Sequence, residues 1–260
     1  MPSNWNTTTL DQLGRIVTGK TPSTKIEANF GDEYPFVSPR DMTGSKFIGD
    51  TERFLSEQGA QTVKSSIVPE NSVVVSCIGS DMGKAAILQR QSVTNQQINT
   101  LVVDSAHDHR FVYYNLRARK DEIRSMAGGS AQPILNKSDF GKLSIVLPSR
   151  AEQSSIADVL SSLDDKIELN RQMNETLEEM AQTLFKSWFV DFDPVIDNAL
   201  AAGNAIPEPL QKRAEARQAL GDQRKPLPAD IQALFPDRFA FTDEMGWIPD
   251  GWDDGKLGSL

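Results

Sequence analysis

The chain has 260 residues, 38% of them hydrophobic and 24% charged, which is enough apolar material to bury the core of one large or two small domains. A single cysteine, Cys77, excludes a disulfide framework within the chain, two histidines leave little for a structural zinc site, and no stretch approaches the ~18 apolar residues of a membrane span. The net charge of −9 is unevenly spread: residues 1–150 hold 17 Lys+Arg against 15 Asp+Glu, a net +2, and residues 151–260 hold 10 against 21, a net −11, so the first half can present a basic face while the second is repelled from phosphate and suits a protein partner.

Residues 1–148 read as a compact α+β (mixed α/β) domain of short strands. Asn71–Ser76 and Ala85–Gln89 are β-rich runs around Gly79-Ser80-Asp81-Met82-Gly83, a loop with hairpin length and turn chemistry. Ile98–Val103 and Leu143–Leu147 are two further strands. Ser105–Met126 reads as a helix, with Ser105 and Asp108 at capping-box spacing, Val112, Leu116 and Ile123 on one face, and Gly128-Gly129 as its stop.

Ser149-Arg150-Ala151-Glu152 is a second capping box, and it opens a long helix over 149–193. Ile156, Leu160, Leu163, Ile167, Asn170, Asn174, Leu177, Ala181, Leu184 and Trp188 alternate in steps of four and three, the seam of a two-helix coiled coil. Pro194 reads as the stop. Some forty residues at ~1.5 Å each give a rod of roughly 60 Å, too long and too one-sided for an ordinary core helix. The polar Asn170 and Asn174 in mid-seam are residues that fix register and partner number at some cost in stability.

After the rod, 194–246 becomes rich in Pro, Ala and charge, with Pro207, Pro209, Pro226, Pro228 and Pro236 around two short helical pieces, and reads as a connector. Over 247–260 the opening returns: Pro2-x-x-Trp5 with Leu10 and Leu13 is echoed by Pro249-x-x-Trp252 with Leu257 and Leu260, as if a second copy of the first domain began and was cut off.

Gly19-Lys20-Thr21-Pro22-Ser23, Tyr34-Pro35-Phe36-Val37 before Asp41-Met42, Gly83-Lys84, Thr94-Asn95-Gln96-Gln97, Gln132-Pro133-Ile134 and Pro148 through Glu152-Gln153, in that order, resemble the target recognition domain and conserved helix of the specificity subunits of type I restriction-modification systems. Leu184-Phe185-Lys186-Ser187-Trp188-Phe189 and Phe235-Pro236-Asp237 resemble that family's central region. The resemblance implies a non-catalytic subunit that recognises double-stranded DNA and directs modification subunits, which use S-adenosylmethionine, and restriction subunits to a bipartite site; the lone cysteine and an N-terminus with neither a basic start nor an apolar run read as cytoplasmic. The chain itself would carry no cofactor; ATP and Mg would also belong to the partner subunits. The family pattern has two recognition domains and two long helices. One of each here implies a half-subunit or truncated product, and two copies joined through antiparallel rods would restore the pair.

Candidate DNA contacts follow from the residue types. The Gly79–Gly83 loop, with Ser80 and Lys84, can bring backbone and cation against DNA or be an ordinary hairpin loop; the Thr18–Ser23 loop with Lys20 carries the same two readings. Tyr113, Arg117, Lys120 and Arg124 fall at four-three-four spacing on one helix face, flanked by Arg110 and Arg119, as a phosphate-contacting surface or a solvated one. Ser130, Gln132 and Arg40 are further candidates. Asn95, Gln96 and Gln97 carry the amides that read adenine, although amides entering a strand more often satisfy buried backbone. His107 and His109 lack ligand partners at metal spacing and read as exposed. No glycine-rich cofactor fingerprint and no Asn/Asp-Pro-Pro-aromatic tetrapeptide is present, against an enzyme. The competing interpretation is a truncated subunit that docks on modification subunits without binding DNA productively.

Overall fold

The computed structural model describes residues 5–79, 81–126, 134–221 and 226–253. The chain divides into two compact units, Met1–Glu168 and Leu169–Leu260. The first holds strands β1 (Asn6–Thr9), β2 (Gly14–Thr18), β3 (Phe30–Val37), β4 (Phe47–Ile48), β5 (Phe54–Leu55), β6 (Ile67–Val68), β7 (Val73–Ser76), β8 (Ala85–Leu88), β9 (Ser92–Thr94), β10 (Ile98–Val103) and β11 (Ser144–Leu147). Its helices are α1 (Glu57–Thr62), α2 (His109–Ala118), α3 (Lys120–Met126), α4 (Lys137–Gly141) and the first half of α5 (Arg150–Phe185).

A five-stranded sheet in the order β2-β10-β7-β8-β4 is the centre of this unit. Side chains alternate across a strand, and both faces of this sheet are covered. Val73, Val75, Ile87 and Leu101 pack on Phe111, Val112 and Leu116 of α2, Phe140 of α4 and Ala157 of α5. Val74, Ala86, Leu88 and Ile98 face the other way onto Val37, Met42, Ile48 and Val68. Val37 and Val68 belong to a four-stranded sheet, β5-β3-β9-β6, in which β3 and β9 pair in parallel, Phe36 opposite Val93 and Val37 opposite Thr94. Across the unit, β1 pairs antiparallel with β11. The mixed α/β class read from the sequence is the one observed.

The expected helix over 105–126 is two helices. Asp108, not Ser105, caps α2, its carboxylate accepting from the Arg110 N–H at 2.9 Å, and Arg119 separates α2 from α3. The expected stop at Gly128-Gly129 lies outside the described residues.

The cap at Ser149 has the expected form. The Ser149 N–H and hydroxyl both donate to Glu152, at 3.0 and 2.7 Å, and the Glu152 N–H donates to the Ser149 hydroxyl at 3.3 Å. Continuous α-helix ends at Phe185, however, and a π-helical turn, Lys186–Val190, follows. Phe192 adopts a left-handed conformation, with φ of 55°, and Pro194 opens the next helix rather than ending the last one. Proline suits a first helical turn because its missing N–H has no partner there in any case.

The second unit takes in the rest of α5 together with α6 (Asp193–Ala202), α7 (Glu208–Ala219), α8 (Ala229–Gln232) and a hairpin of β12 (Phe239–Thr242) and β13 (Gly246–Pro249). The proline-punctuated stretch is thus a folded piece with its own ties. Arg213 and Arg217, one turn apart on α7, meet Asp193 and Asp197, one turn apart on α6, at 2.7 and 2.5 Å. Burial alone would raise the Asp193 pKa, but hydrogen bonds from Arg213 and Ser187 and the charge of Arg217 outweigh it and hold the carboxyl below its usual range. Trp188, Phe189, Phe192, Phe235 and Trp252 form a cluster with ring centroids 5.5 to 6.5 Å apart. Trp5 and Trp252 are both half-buried, while Pro2, Leu257 and Leu260 of the apparent repeat lie outside the described residues. Among the described residues no helix is long and apolar enough to cross a membrane.

Candidate nucleic-acid interface

Four stretches far apart in sequence converge at one place in the first unit. Gly19 lies so close to β9 that a Cβ there would sit 2.0 Å from the Asn95 carbonyl oxygen. With no side chain in the way, the Gly19 N–H reaches Ile98 O at 3.1 Å and the Lys20 N–H reaches Thr94 O at 2.9 Å. The Thr18–Ser23 loop is thereby fastened beside Asn95–Gln97, where the Thr21 hydroxyl donates to Gln96 Oε1 at 2.5 Å. Ser38 and Asp41 form their own capping box on the turn that carries Arg40.

These segments and the Gly79–Gly83 loop surround an open cleft of about 560 Å³, lined by Thr21, Phe36, Arg40, Arg53, Gly79, Asp81, Asn95 and Gln97 among others. The wall is polar and self-organised. Asn95 is buried; its Oδ1 accepts from the Gln97 N–H at 3.0 Å, and its Nδ2 donates to Gln97 Oε1 at 3.2 Å. Asn95 therefore satisfies its neighbour, as amides entering a strand commonly do, and in doing so it fixes the Gln97 amide. Among the described residues the Gln97 NH₂ donates to no protein acceptor. The Arg53 guanidinium lies 4.3 Å from the Phe30 ring centroid.

The candidate cations separate into two groups. Arg40 pairs loosely with Glu52 at 3.8 Å and remains highly exposed. Lys84 is tied to Asp81 at 2.9 Å. Lys20, Lys120 and Arg124 are exposed and, among the described residues, in no ion pair. Gly83, at φ of 85°, sits against α3, where a Cβ would meet Lys120 O at 2.6 Å. The hairpin loop and the start of α3 are thus neighbours. Ser80, Ser130 and Gln132 lie outside the described residues.

The shared basic face does not form as the spacing suggests. Tyr113 is a core residue with no exposure, because Phe111, Val112, Tyr113 and Leu116 together are the buried side of α2. Arg117 turns toward α5 and binds Asp164 at 2.8 Å. Arg119 closes on Glu122 at 2.6 Å and on the Ser144 carbonyl. Arg110 joins Asp158 and Asp108. Three of the arginines therefore hold the unit together rather than face solvent as a strip.

Asp108 is the centre of this docking, whereas the sequence offers it only as the second member of a capping box begun at Ser105. Its buried carboxylate takes hydrogen bonds from Arg110, Arg150 and Ser154, and its N–H donates to Gln153 Oε1, while Gln153 Nε2 reaches the Pro148 carbonyl. Burial pushes the Asp108 pKa up, yet the hydrogen bonds from Arg110 and Ser154 and the Arg110 charge outweigh it, leaving the carboxyl far below its usual range. His107 is not a freely exposed histidine: its Nδ1 lies 2.7 Å from Asp104, and burial lowers the His109 pKa. Among the described residues no group of acidic, His or Cys side chains is arranged to hold a metal.

On the long helix, Ile156 packs against the core of the first unit and Leu160 is half-buried, whereas Leu163, Ile167, Leu177 and Leu184 are each about half exposed and Asn170 and Asn174 are exposed. Ala181 is exposed and Trp188 half-buried. From Leu163 to Leu184 the apolar seam is exposed.

A model of the type I restriction modification DNA specificity domain matches residues 2–179. The chain is 29% identical over 226 residues to the MjaIX specificity subunit of Methanocaldococcus jannaschii, covering 85% of this chain and 52% of that protein. It is 33% identical over 187 residues to the HindI specificity subunit of Haemophilus influenzae, covering 71% of this chain and 40% of that one. The chain thus spans about half the length of the curated relatives it matches. Among solved structures, the HsdS subunit from Thermoanaerobacter tengcongensis shares the fold with a TM-score of 0.52 at 15% identity, covering 73% of this chain and 45% of that one. The S subunit of the M. genitalium type I system does so at 0.51 and 20%, covering 72% and 46%. With the family's model matched across residues 2–179, well over half of its length, this chain belongs to the type I restriction modification DNA specificity domain family.

Proposed function

We propose that this chain is a non-catalytic, sequence-specific DNA-recognition subunit that acts in the cytoplasm. Residues 1–148 read double-stranded DNA, 149–193 form the spacer and pairing helix, 194–246 connect, and 247–260 begin a second recognition domain. The modification (methyltransferase) subunits, with S-adenosylmethionine, and the restriction subunits, with ATP and Mg, are its partners. Two copies associated through the long helix supply the two halves of a bipartite site.

The observation that carries this reading is the cleft where the Lys20 loop, the Arg40 turn, the Gly79–Gly83 loop and Asn95–Gln97 meet. Its polar groups are fixed by hydrogen bonds to one another, which suits reading a base edge. Lys20, Lys120 and Arg124 supply cations for the phosphates, whose contacts position the protein but carry no sequence information. A second reading, docking on modification subunits without productive DNA binding, is favoured by the number of arginines already neutralised by Asp108, Asp158, Asp164 and Glu122.

Selection from a random DNA pool by the chain together with its modification subunit separates the two. Enrichment of a defined motif, with binding that weakens steeply with salt, is the expected result. A complex that forms and enriches nothing contradicts the recognition reading and leaves the docking one.

A further inference from the structure

The pairing helix carries enough information to fix how two copies would align. This inference rests on the self-association through antiparallel rods set out above and goes beyond it to the register. The free part of the seam holds Leu163, Ile167, Leu177 and Leu184, widened by Val159, Met173 and Met180, all about half exposed. Covering these seven side chains on each of two chains removes on the order of 1,200 Å² from water, the lower bound of a stable interface.

Orientation follows from what already covers the other end. Ala157 is fully buried and Ile156 packs against the recognition unit's core, while Tyr114 reaches Ser161 and Asp164 at 3.3 and 2.9 Å. The recognition unit therefore lies over the start of the seam itself. In a parallel pair, two such units would have to occupy the same end of the coil. Antiparallel helices put one at each end.

Register follows from the asparagines. In an antiparallel coil, each seam layer pairs a residue of the four-step set with one of the three-step set. One alignment, symmetric about Gln172, sets Asn170 of each copy against Asn174 of the other and leaves apolar layers on both sides, Ile167 against Leu177 and Leu163 against Ala181. Slipping by one heptad puts Asn170 against Ile167 and Asn174 against Leu163 in one direction, or Asn170 against Ala181 and Asn174 against Leu177 in the other. Either slip buries four unpartnered amides among apolar side chains, and polar groups buried without a hydrogen bond are costly.

We infer that two copies of this chain pair through antiparallel long helices in the single register centred on Gln172, with two Asn170–Asn174 layers flanking the dyad.

Cysteine cross-linking on the full chain tests this. Cys77, the one native cysteine, is buried, and burial pushes its thiol pKa up to about 11, so it stays inert toward oxidation. Met173 flanks the seam beside the dyad and would face its own counterpart. Met173→Cys is expected to give a disulfide-linked dimer under mild oxidation. Met180→Cys and Lys166→Cys are each expected to stay unlinked alone and to link when mixed. Adding Asn170→Leu and Asn174→Leu to Met173→Cys should lower the linked fraction by about twofold or more, as neighbouring registers become equally apolar. A chain that sediments as a dimer, yet links Met173→Cys only to Lys166→Cys or to Met180→Cys, overturns the register and leaves the self-association standing. A chain that sediments as a monomer, alone and with the modification subunit, overturns both.

Discussion

Arg117 on α2 grips Asp164 on α5 with its Nη1 at 3.0 and 2.8 Å from the two carboxylate oxygens. A cation that the spacing offers to DNA instead seats the helix. Arg110 with Asp158 and Lys46 with Asp165 repeat the arrangement at 2.7 and 2.8 Å, so Asp158, Asp164 and Asp165 of α5 are neutralised by the unit they lie on.

The two sets of cations should respond oppositely to mutation. Replacing Lys120 and Arg124 by Ala should lower the slope of log affinity against log salt by ~0.9 for each phosphate that is no longer neutralised, with little effect on stability. Arg117→Ala should leave that slope unchanged and cost about 1 kcal/mol of stability, a modest figure because the Arg117 side chain is 44% exposed. Binding titrations at several salt concentrations, beside urea denaturation, check both.

Asp108 should give the recognition unit an acid-sensitive stability. Its folded pKa lies below the unfolded value of about 3.9, so its contribution is complete above that pH and is lost as the pH falls through the folded value. Asp108→Asn should cost about 2–3 kcal/mol near neutrality, less than a fully buried pair because Arg110 and Arg150 are partly exposed. The variant should also show a flatter decline between about pH 5 and pH 2. Urea midpoints across that range measure the difference.

Gly83 should resist even a methyl group. Its φ of 85° and the Lys120 carbonyl 2.6 Å from a would-be Cβ leave no room. Gly83→Ala should cost about 1–2 kcal/mol from the left-handed conformation and the clash together and shift the hairpin loop relative to α3. Its DNA affinity should fall more than that of Gly203→Ala, where a Cβ meets nothing within 4 Å.

The cleft residues should govern discrimination rather than general affinity. Gln97→Ala and Arg40→Ala should each reduce preference for the selected motif over random DNA by about 1–3 kcal/mol if they reach a base edge, while binding to random DNA changes little for Gln97→Ala. Competition assays on selected and scrambled duplexes provide the comparison.

The sequence reveals local features of this fold and conceals non-local ones. The Val73–Leu88 hairpin, β10, β11 and the Ser149 cap follow from β-rich runs, turn residues and capping chemistry close in the chain. The parallel pairing of β3 with β9, and strands as short as β4 and β6, leave no periodic signal to read. Regular four-three-four spacing put Tyr113 with Arg117, but the apolar run Phe111-Val112-Tyr113 with Leu116 is the stronger pattern and turns Tyr113 inward. Lys20, Arg40 and Gln97 are recognisable one by one as polar loop residues. Their convergence needed the tertiary fold, because Gly19 against Asn95 is a contact between distant strands. Asp108 reads as the capping-box partner of Ser105; that it caps α2 itself and receives Arg150 and Ser154 from α5 has no local signature.

As proposed, this chain directs modification to a defined DNA sequence as a symmetric pair. Mapping methylated bases genome-wide in cells that carry the chain with its modification subunit, and no other specificity subunit, measures this directly. Paired recognition by identical units predicts a methylated motif whose two halves are inverted repeats across a fixed spacer. An asymmetric bipartite motif, or no new methylation from a complex that assembles, would contradict it.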